Sequence, residues 1–301
     1  MAAVKHWISA FRLRTLPLAV ASIGMGSFLA AAEKTFNWLV FGLCVLTTIL
    51  LQILSNLAND YGDTVKGADS QNRKGPSRSV QTGLISKREM RGAILIFILL
   101  CLLSGIYLLY VSLGFNVYGF LFFLTIGILS IIAAITYTMG RKPYGYAGLG
   151  DISVLLFFGL TGVLGSYFLQ VQAFHAGLIW PALSCGLFSV AVLNINNIRD
   201  INSDKEAGKY SLPVRLGRPL AVQYHWALLI GGILCAVIYS LMYFRGYYQF
   251  LFTITLPLFI MNGVGVTRAV SESETDPWLK QMALSTLLFV LTFGLGLLWS
   301  V

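Results

Sequence analysis

The chain alternates long apolar runs with short polar connections. Stretches free of Asp, Glu, Lys and Arg cover 15–32, 35–59, 92–140, 152–198, 219–244, 246–267 and 281–301. A helix needs about 20 apolar residues to cross a bilayer, so each stretch can hold a span and two are long enough for two. The 92–140 stretch carries a turn signal at Gly114-Phe115-Asn116, and the 152–198 stretch carries one between Gln170 and Gly177. The pattern therefore predicts nine helices, over 15–32, 37–58, 92–113, 117–138, 152–170, 177–198, 220–243, 247–267 and 280–300. Within hydrocarbon, backbone must satisfy its own hydrogen bonds, which a helix does. The expected fold is all-α: one integral-membrane domain over 1–301, a bundle of nine transmembrane helices. The first run, with Arg12 and Arg14 ahead of it and Ala30-Ala31-Ala32 at its end, mimics a cleavable signal. Its apolar run exceeds the about 7–15 residues of a signal core, which makes it a span.

Charge sharpens this pattern. Only 11% of the residues are charged, against about 25% in a soluble domain. Nineteen of the 21 Lys and Arg fall on one side of the nine spans: in the N-terminus and in the connections 59–91, 139–151, 199–218 and 268–280. Lys34 and Arg245 alone fall on the other. The basic side is expected to be cytoplasmic, N-terminus included. The net charge of +9 then reads as topology, and no soluble basic domain is left to bind nucleic acid. Cys44, Cys101, Cys185 and Cys235 all lie inside predicted spans without paired spacing, as small apolar core residues do.

Eleven of the 12 acids share the basic side, Glu33 being the exception. Positive-inside sorting acts on Lys and Arg, so it does not account for them. Two clusters stand out. Asn59, Asp60, Asp63 and Asp69 follow the second span, and "NINNIRDINSD", with Asn194, Asn196, Asn197, Asp200 and Asp204, closes the sixth. Asn59 to Asp63, Asn196 to Asp200 and Asp200 to Asp204 are each four apart, which places them on one helix face. Like charges at that spacing repel, and the C-terminal end of a helix is already negative. A bound cation would offset both costs. Hard oxygen donors suit Mg²⁺, which takes one or two carboxylates and leaves positions for phosphate. The alternative is a set of solvated loop acids paired with nearby Lys and Arg. The same design after two spans favours the cation. Lys66, Arg73, Lys74 and Arg78 beside the first cluster, Arg141 and Lys142 in "GRKPYGY", and Arg199 and Lys205 around the second could neutralise a phosphorylated ligand; some would serve topology alone.

Such clusters facing one another at the mouth of an apolar bundle could hold a diphosphate carrying a long hydrophobic tail. Aromatic faces such as Tyr137 or Tyr144 could stabilise an allylic cation, or could equally be interface-belt aromatics. The chain contains no HExxH, Walker A, GxSxG or CxxC pattern. His6, His175 and His225 are scattered, as interfacial or packing residues are.

At these residues the sequence resembles the UbiA family of intramembrane aromatic prenyltransferases. Asn59, Asp60 and Asp63 match the family's N-D-x-x-D; its last acidic position is Gly67 here, and the acid comes at Asp69. That form resembles the naphthoquinone branch. Asp200 and Asp204 match D-x-x-x-D, and Arg141, Lys142 and Tyr144 match the basic–aromatic stretch. The likeness extends through "LRTLPLA", "LQILSNLANDYGD", "GLGDISV", "VLNINNIRDINSD" and "VRLG", over nearly the whole chain. It implies a nine-helix fold in a bacterial cytoplasmic membrane. It also implies transfer of a polyprenyl group from polyprenyl diphosphate to 1,4-dihydroxy-2-naphthoate, with loss of diphosphate and CO₂. Asp60, Asp63, Asp69, Asp200 and Asp204, assisted by Asn59 and Asn197, would hold Mg²⁺. Lys66, Arg141, Lys142 and Arg199, with Arg78 and Lys205 beside them, would neutralise the diphosphate. Asp151 would orient the aromatic substrate or a catalytic Lys, or is a plain helix N-cap after "GLG". Two rival readings remain. One is the same fold with another acceptor, such as 4-hydroxybenzoate or haem. The other is a transporter, against which the acids gather at one surface rather than at the midplane.

Overall fold

The structure is a computed structural model that describes residues 3–66 and 79–300, apart from the side chain of Arg14. Asp69 and Arg78, both expected at the site, lie outside the described residues. All regular structure among the described residues is helical. In chain order the helices are α1 (Val4–Phe11), α2 (Leu16–Ala32), α3 (Trp38–Val65), α4 (Lys87–Leu113), α5 (Val117–Thr136), α6 (Gly150–Val154), α7 (Gly165–Val171), α8 (Ile179–Arg199), α9 (Ile201–Glu206), α10 (Leu212–Leu216), α11 (Arg218–Met242), α12 (Leu256–Arg268) and α13 (Glu272–Trp299). A π-helical stretch, Leu155–Leu164, joins α6 to α7 into one span. A 3-10 stretch, Tyr247–Thr255, leads into α12. Among the described residues eight spans are long and apolar enough to cross a membrane. The pair α1 and α2, bent by 50° at its junction, makes a ninth. Each predicted span has its helix.

The helix ends differ from those expected, for a common reason. α3 continues beyond residue 58 to Val65, α4 begins at Lys87, and α13 begins at Glu272. A charge-free run marks where hydrocarbon ends, whereas a helix continues as long as its turns are capped. Ser86 caps α4: its Oγ accepts from Glu89 N at 3.2 Å, and Ser86 N donates to Glu89 Oε2 at 3.0 Å, a reciprocal capping box. Ser271 Oγ accepts from Glu274 N at the start of α13. At the opposite end of the bundle Asn37 Oδ1 accepts from Leu39 N at 2.9 Å to start α3. Pro stands in the first turn of α2, α11 and α12, where its missing N–H costs nothing.

α8 is the central post. Its buried residues include Ser184, Cys185, Gly186, Ser189 and Ala191, and it packs against α2, α11, α13 and the π-helical stretch. Small residues let backbones approach in lipid, where association gains little from the hydrophobic effect. A Cβ on Gly186 would sit 3.0 Å from Gly159 Cα, so the two helices touch there through their backbones. α5, by contrast, buries only Ile131.

The connections sort to two ends. Thr138 Oγ1 donates to Ala58 O at 3.0 Å, Tyr146 Oη to Asp63, Tyr210 N to Tyr146 O at 3.0 Å, and Arg199 to Asp276. These bonds gather the turns after α3, α5, α8 and α12 at one end. Tyr167 Oη donates to Glu33 at 2.7 Å, Ser112 Oγ to Leu169 O at 2.6 Å and Arg245 to Ala32 O at 3.2 Å at the other. The acids and bases are segregated as the span count requires.

Candidate active site

The last two turns of α3 carry the first cluster. Asp60 and Asp63 are buried, at 2% and 3% exposure. Tyr146, from the turn after α5, donates its hydroxyl to Asp63 Oδ1 at 2.9 Å. Thr138 Oγ1 reaches Asn59 Oδ1 at 3.2 Å. This turn lies so close that a Cβ on Gly62 would meet Thr138 O at 2.8 Å. Lys66 is exposed, with Nζ 5.6 Å from the Tyr146 ring centroid, a cation–π distance.

The second cluster spans the break between α8 and α9. Asp204 N donates to Asp200 O at 2.8 Å, carrying the helical path across the break. This keeps Asp200 and Asp204 on one side. Arg199 grips Asp200 bidentately, Nε to Oδ1 at 2.7 Å and Nη2 to Oδ2 at 2.8 Å, and also bonds Asn196 and Asp276. Its guanidinium is buried, and its bonds are to protein acceptors. These bonds make Arg199 a counterion to Asp200 and Asp276. Past α9, Gly208 takes φ +71°, a left-handed conformation that favours glycine. This turns Lys209 back inward, so that Lys209 N donates to Asp204 O at 2.8 Å. Lys209 Nζ then lies 3.2 Å from Oδ1 and 3.1 Å from Oδ2 of Asp204.

Lys209 is the residue beside these acids that the sequence reading did not single out. Burial disfavours its charge, but Asp204 first, then Asp63, Tyr137 and Asp200, outweigh burial and raise its pKa. Asp63 of the first cluster is thus within electrostatic reach of Lys209 and Asp204 of the second. Asp204 is pushed up chiefly by burial; Lys209 pulls it down, and Asp200 and Asp63 push it up again. Burial, with smaller effects from Lys209, Asp204, Asp63 and Asp151, holds the Tyr137 phenol up at about 12, so it stays neutral at ordinary pH. The signal available in the sequence was the "GK" pair five residues past Asp204, where a glycine licenses a turn.

The donor set fits a divalent cation. Four carboxylates are buried here, Asp60, Asp63, Asp200 and Asp204, and hard oxygen donors of this kind suit Mg²⁺. Asn197 adds a buried Oδ1 with no hydrogen-bond partner. Among the described residues no three His, Cys, Asp or Glu side chains cage a metal by themselves. Mg²⁺ does not need such a cage, since it completes its shell with water and phosphate oxygens. Lys66, Arg141, Lys142 and Lys205 are all exposed at the same end, where solvent-side cations can meet an anion.

Below the acids lies a cavity of about 370 Å³. Asn59, Asn196, Tyr137, Tyr144 and Ser153 line its polar top, and Leu108, Phe123 and Leu169 line its depths. Tyr137 stands edge-on to Tyr144, ring centroids 5.3 Å apart. Gly145 and Gly150 make room for it: a Cβ on Gly145 would come within 2.9 Å of its ring carbons, and one on Gly150 within 2.9 Å of its hydroxyl. Tyr144 Oη donates to Ala133 O at 3.0 Å and pairs with Ser153 Oγ at 2.9 Å. Both tyrosines therefore belong to the cavity rather than to an aromatic belt. Asp151 is buried but does not line the cavity. The cap position of its helix is Leu149, not Asp151, and no side chain caps it, which overturns the N-cap reading.

An all-helical membrane bundle with an acidic mouth above an apolar cavity suits an amphipathic ligand with an anionic head. The comparisons with known proteins agree. The UbiA prenyltransferase family pattern matches residues 18–287, and the chain belongs to that family. It is 47% identical, over 98% of its length and 95% of the relative's, to the Escherichia coli (strain K12) 1,4-dihydroxy-2-naphthoate octaprenyltransferase. The apo structure of a UbiA homolog from Aeropyrum pernix K1 shares the fold at TM-score 0.66 and 18% identity, over 98% of each chain. A UbiA homolog from Archaeoglobus fulgidus bound to DMAPP and Mg²⁺ does so at TM-score 0.61 and 17% identity, over 95% of this chain and 98% of that one.

Proposed function

We propose that this chain transfers a polyprenyl group from polyprenyl diphosphate to 1,4-dihydroxy-2-naphthoate, releasing diphosphate and CO₂, as the membrane step that leads to demethylmenaquinone. The observation that carries this reading is near-full-length identity of 47% to a relative of that name, combined with an acidic mouth opening on an apolar cavity. Asp60, Asp63, Asp200 and Asp204, with Asn59 and Asn197, would hold Mg²⁺, and Asp69 belongs to the set by its place in the motif. When bound, Mg²⁺ draws charge off the departing diphosphate. Lys66, Arg141, Lys142 and Lys205 meet its outer oxygens as point charges or, for Arg141, as a planar fork. Arg199 fixes the Asp200 carboxylate, and Lys209 fixes that of Asp204. Tyr137 presents a neutral ring where positive charge develops on the allylic carbon. Asp151 acts through Tyr137, whose hydroxyl abuts Gly150, as a positioning residue. The basic end faces the cytoplasm of a bacterium, by the distribution of Lys and Arg.

The test is reconstitution in liposomes with 1,4-dihydroxy-2-naphthoate, a long-chain prenyl diphosphate and Mg²⁺, read by mass. Prenylated naphthoquinone that vanishes with chelator is expected. Product from 4-hydroxybenzoate alone would overturn the acceptor and keep the mechanism. No product from either acceptor, with folded protein, would sink the reading.

A further inference from the structure

A second hollow opens on the surface between α12 and α13. It is a groove of about 780 Å³, and none of its lining residues lines the central cavity. Pro257, Ile260, Val264 and Arg268 form its α12 side, at the three- and four-residue spacing of one helix face. Ile260 is exposed, so the groove faces hydrocarbon. Pro257 and Arg268 stand eleven residues apart, about 16 Å along the axis at 1.5 Å per residue. That is about half of a hydrocarbon core of about 30 Å, the depth of one leaflet.

The floor is built from a glycine and an indole. A Cβ on Gly265 would overlap the Trp278 ring, so the missing side chain lets the ring lie against α12. An amphipathic ring of this kind sits at headgroup depth. Two opposite charges stand at the mouth without meeting. Arg268 and Glu274 both line the groove, and both are exposed. Among the described residues no ion pair joins them, and no hydrogen bond or ion pair holds the Arg268 side chain. Glu274 Oε2 accepts from Val270 N at 2.8 Å, which fixes the carboxylate at the mouth.

A guanidinium seeks phosphate, and a carboxylate seeks ammonium. A headgroup that carries both satisfies Arg268 and Glu274 together, while an acyl chain fills the leaflet-deep apolar part. We propose that the α12–α13 groove binds a zwitterionic phospholipid whose headgroup ends in a primary ammonium. Its phosphate meets Arg268, its ammonium meets Glu274, and one acyl chain lies along Trp278 and Val264. A primary ammonium offers three N–H donors. A quaternary ammonium offers none, and an anionic headgroup has no cation for Glu274, so the site selects by headgroup. It stands apart from the prenyl transfer proposed above and does not depend on it.

The test is native mass spectrometry of the full-length protein, delipidated in detergent and titrated with three phospholipids of identical acyl chains: phosphatidylethanolamine, phosphatidylcholine and phosphatidylglycerol. The first phosphatidylethanolamine is expected to bind about tenfold or more tightly than either of the others, the size of one charge-assisted hydrogen bond. Arg268→Gln and Glu274→Gln each remove one charge from an exposed position, and Gln at 274 keeps an oxygen for Val270 N. Each should bring phosphatidylethanolamine to the level of phosphatidylcholine while keeping the wild-type unfolding midpoint. Val264→Trp fills the groove without touching either charge and should abolish the preference as well. Equal affinities for the three lipids in wild-type protein, or a preference for another headgroup, mark ordinary annular lipid and overturn the site. A phosphatidylethanolamine preference that survives in any of the folded variants overturns it too.

Discussion

α8 and α5 are apolar spans of nearly equal length, 21 and 20 residues, and they do opposite work. α8 is buried along most of its length and ends in Arg199, next to Asp200. α5 buries only Ile131 and faces the cavity with a glycine at its middle. Both walls bound the same chamber. At and just past the end of the buried span, Asp200 and Asp204 are held by Arg199 and Lys209, whereas the cavity face of α5 carries no charged side chain.

The contrast can be broken most severely at Lys209. Lys209→Met strips one partner from a buried ion pair, and about 3–5 kcal/mol of unfolding free energy in detergent should go with it. The Lys209→Met, Asp204→Asn double variant should recover part of that loss, a coupling that a double-mutant cycle reads. Asp204→Asn alone should lower kcat by about 10²- to 10³-fold, as loss of one electrostatic contact to the reacting charge does. Gly186→Leu, forced against Gly159 across the tight α8 contact, should cost about 1–3 kcal/mol of stability by overpacking. Gly127→Ala, on the loose wall, should be neutral or stabilising by up to about 1 kcal/mol. A destabilised Gly127→Ala beside an unaffected Gly186→Leu would reverse the roles assigned to the two walls.

Hydropathy alone could not distinguish these spans. A bilayer rewards apolar residues on α8 and α5 equally, so the charge-free runs yield the number and order of spans and say nothing about which are central. Small and weakly polar residues, Ser184, Gly186 and Ser189 on α8, are where centrality was legible. The acidic clusters could be read because an i, i+4 spacing fixes a face without tertiary knowledge. Lys209 was harder to read, because its partner depends on the turn at Gly208, which only that glycine hints at. For Arg199 the sequence shows that a cation adjoins Asp200, but not that its guanidinium turns onto that carboxylate and onto Asp276. Tyr137 and Tyr144 were ambiguous for the same reason, since membrane interface and cavity mouth lie at one depth.

The central claim is that both clusters act as one site on one ligand. Calorimetric titration of the purified protein with a non-reactive prenyl thiolodiphosphate, with Mg²⁺ or with chelator, tests it most directly. The account predicts binding that requires Mg²⁺ and that is lost in Asp63→Asn on α3 and in Asp204→Asn on α9 alike. Binding that survives chelation, or that survives in either folded variant with wild-type affinity, would contradict it.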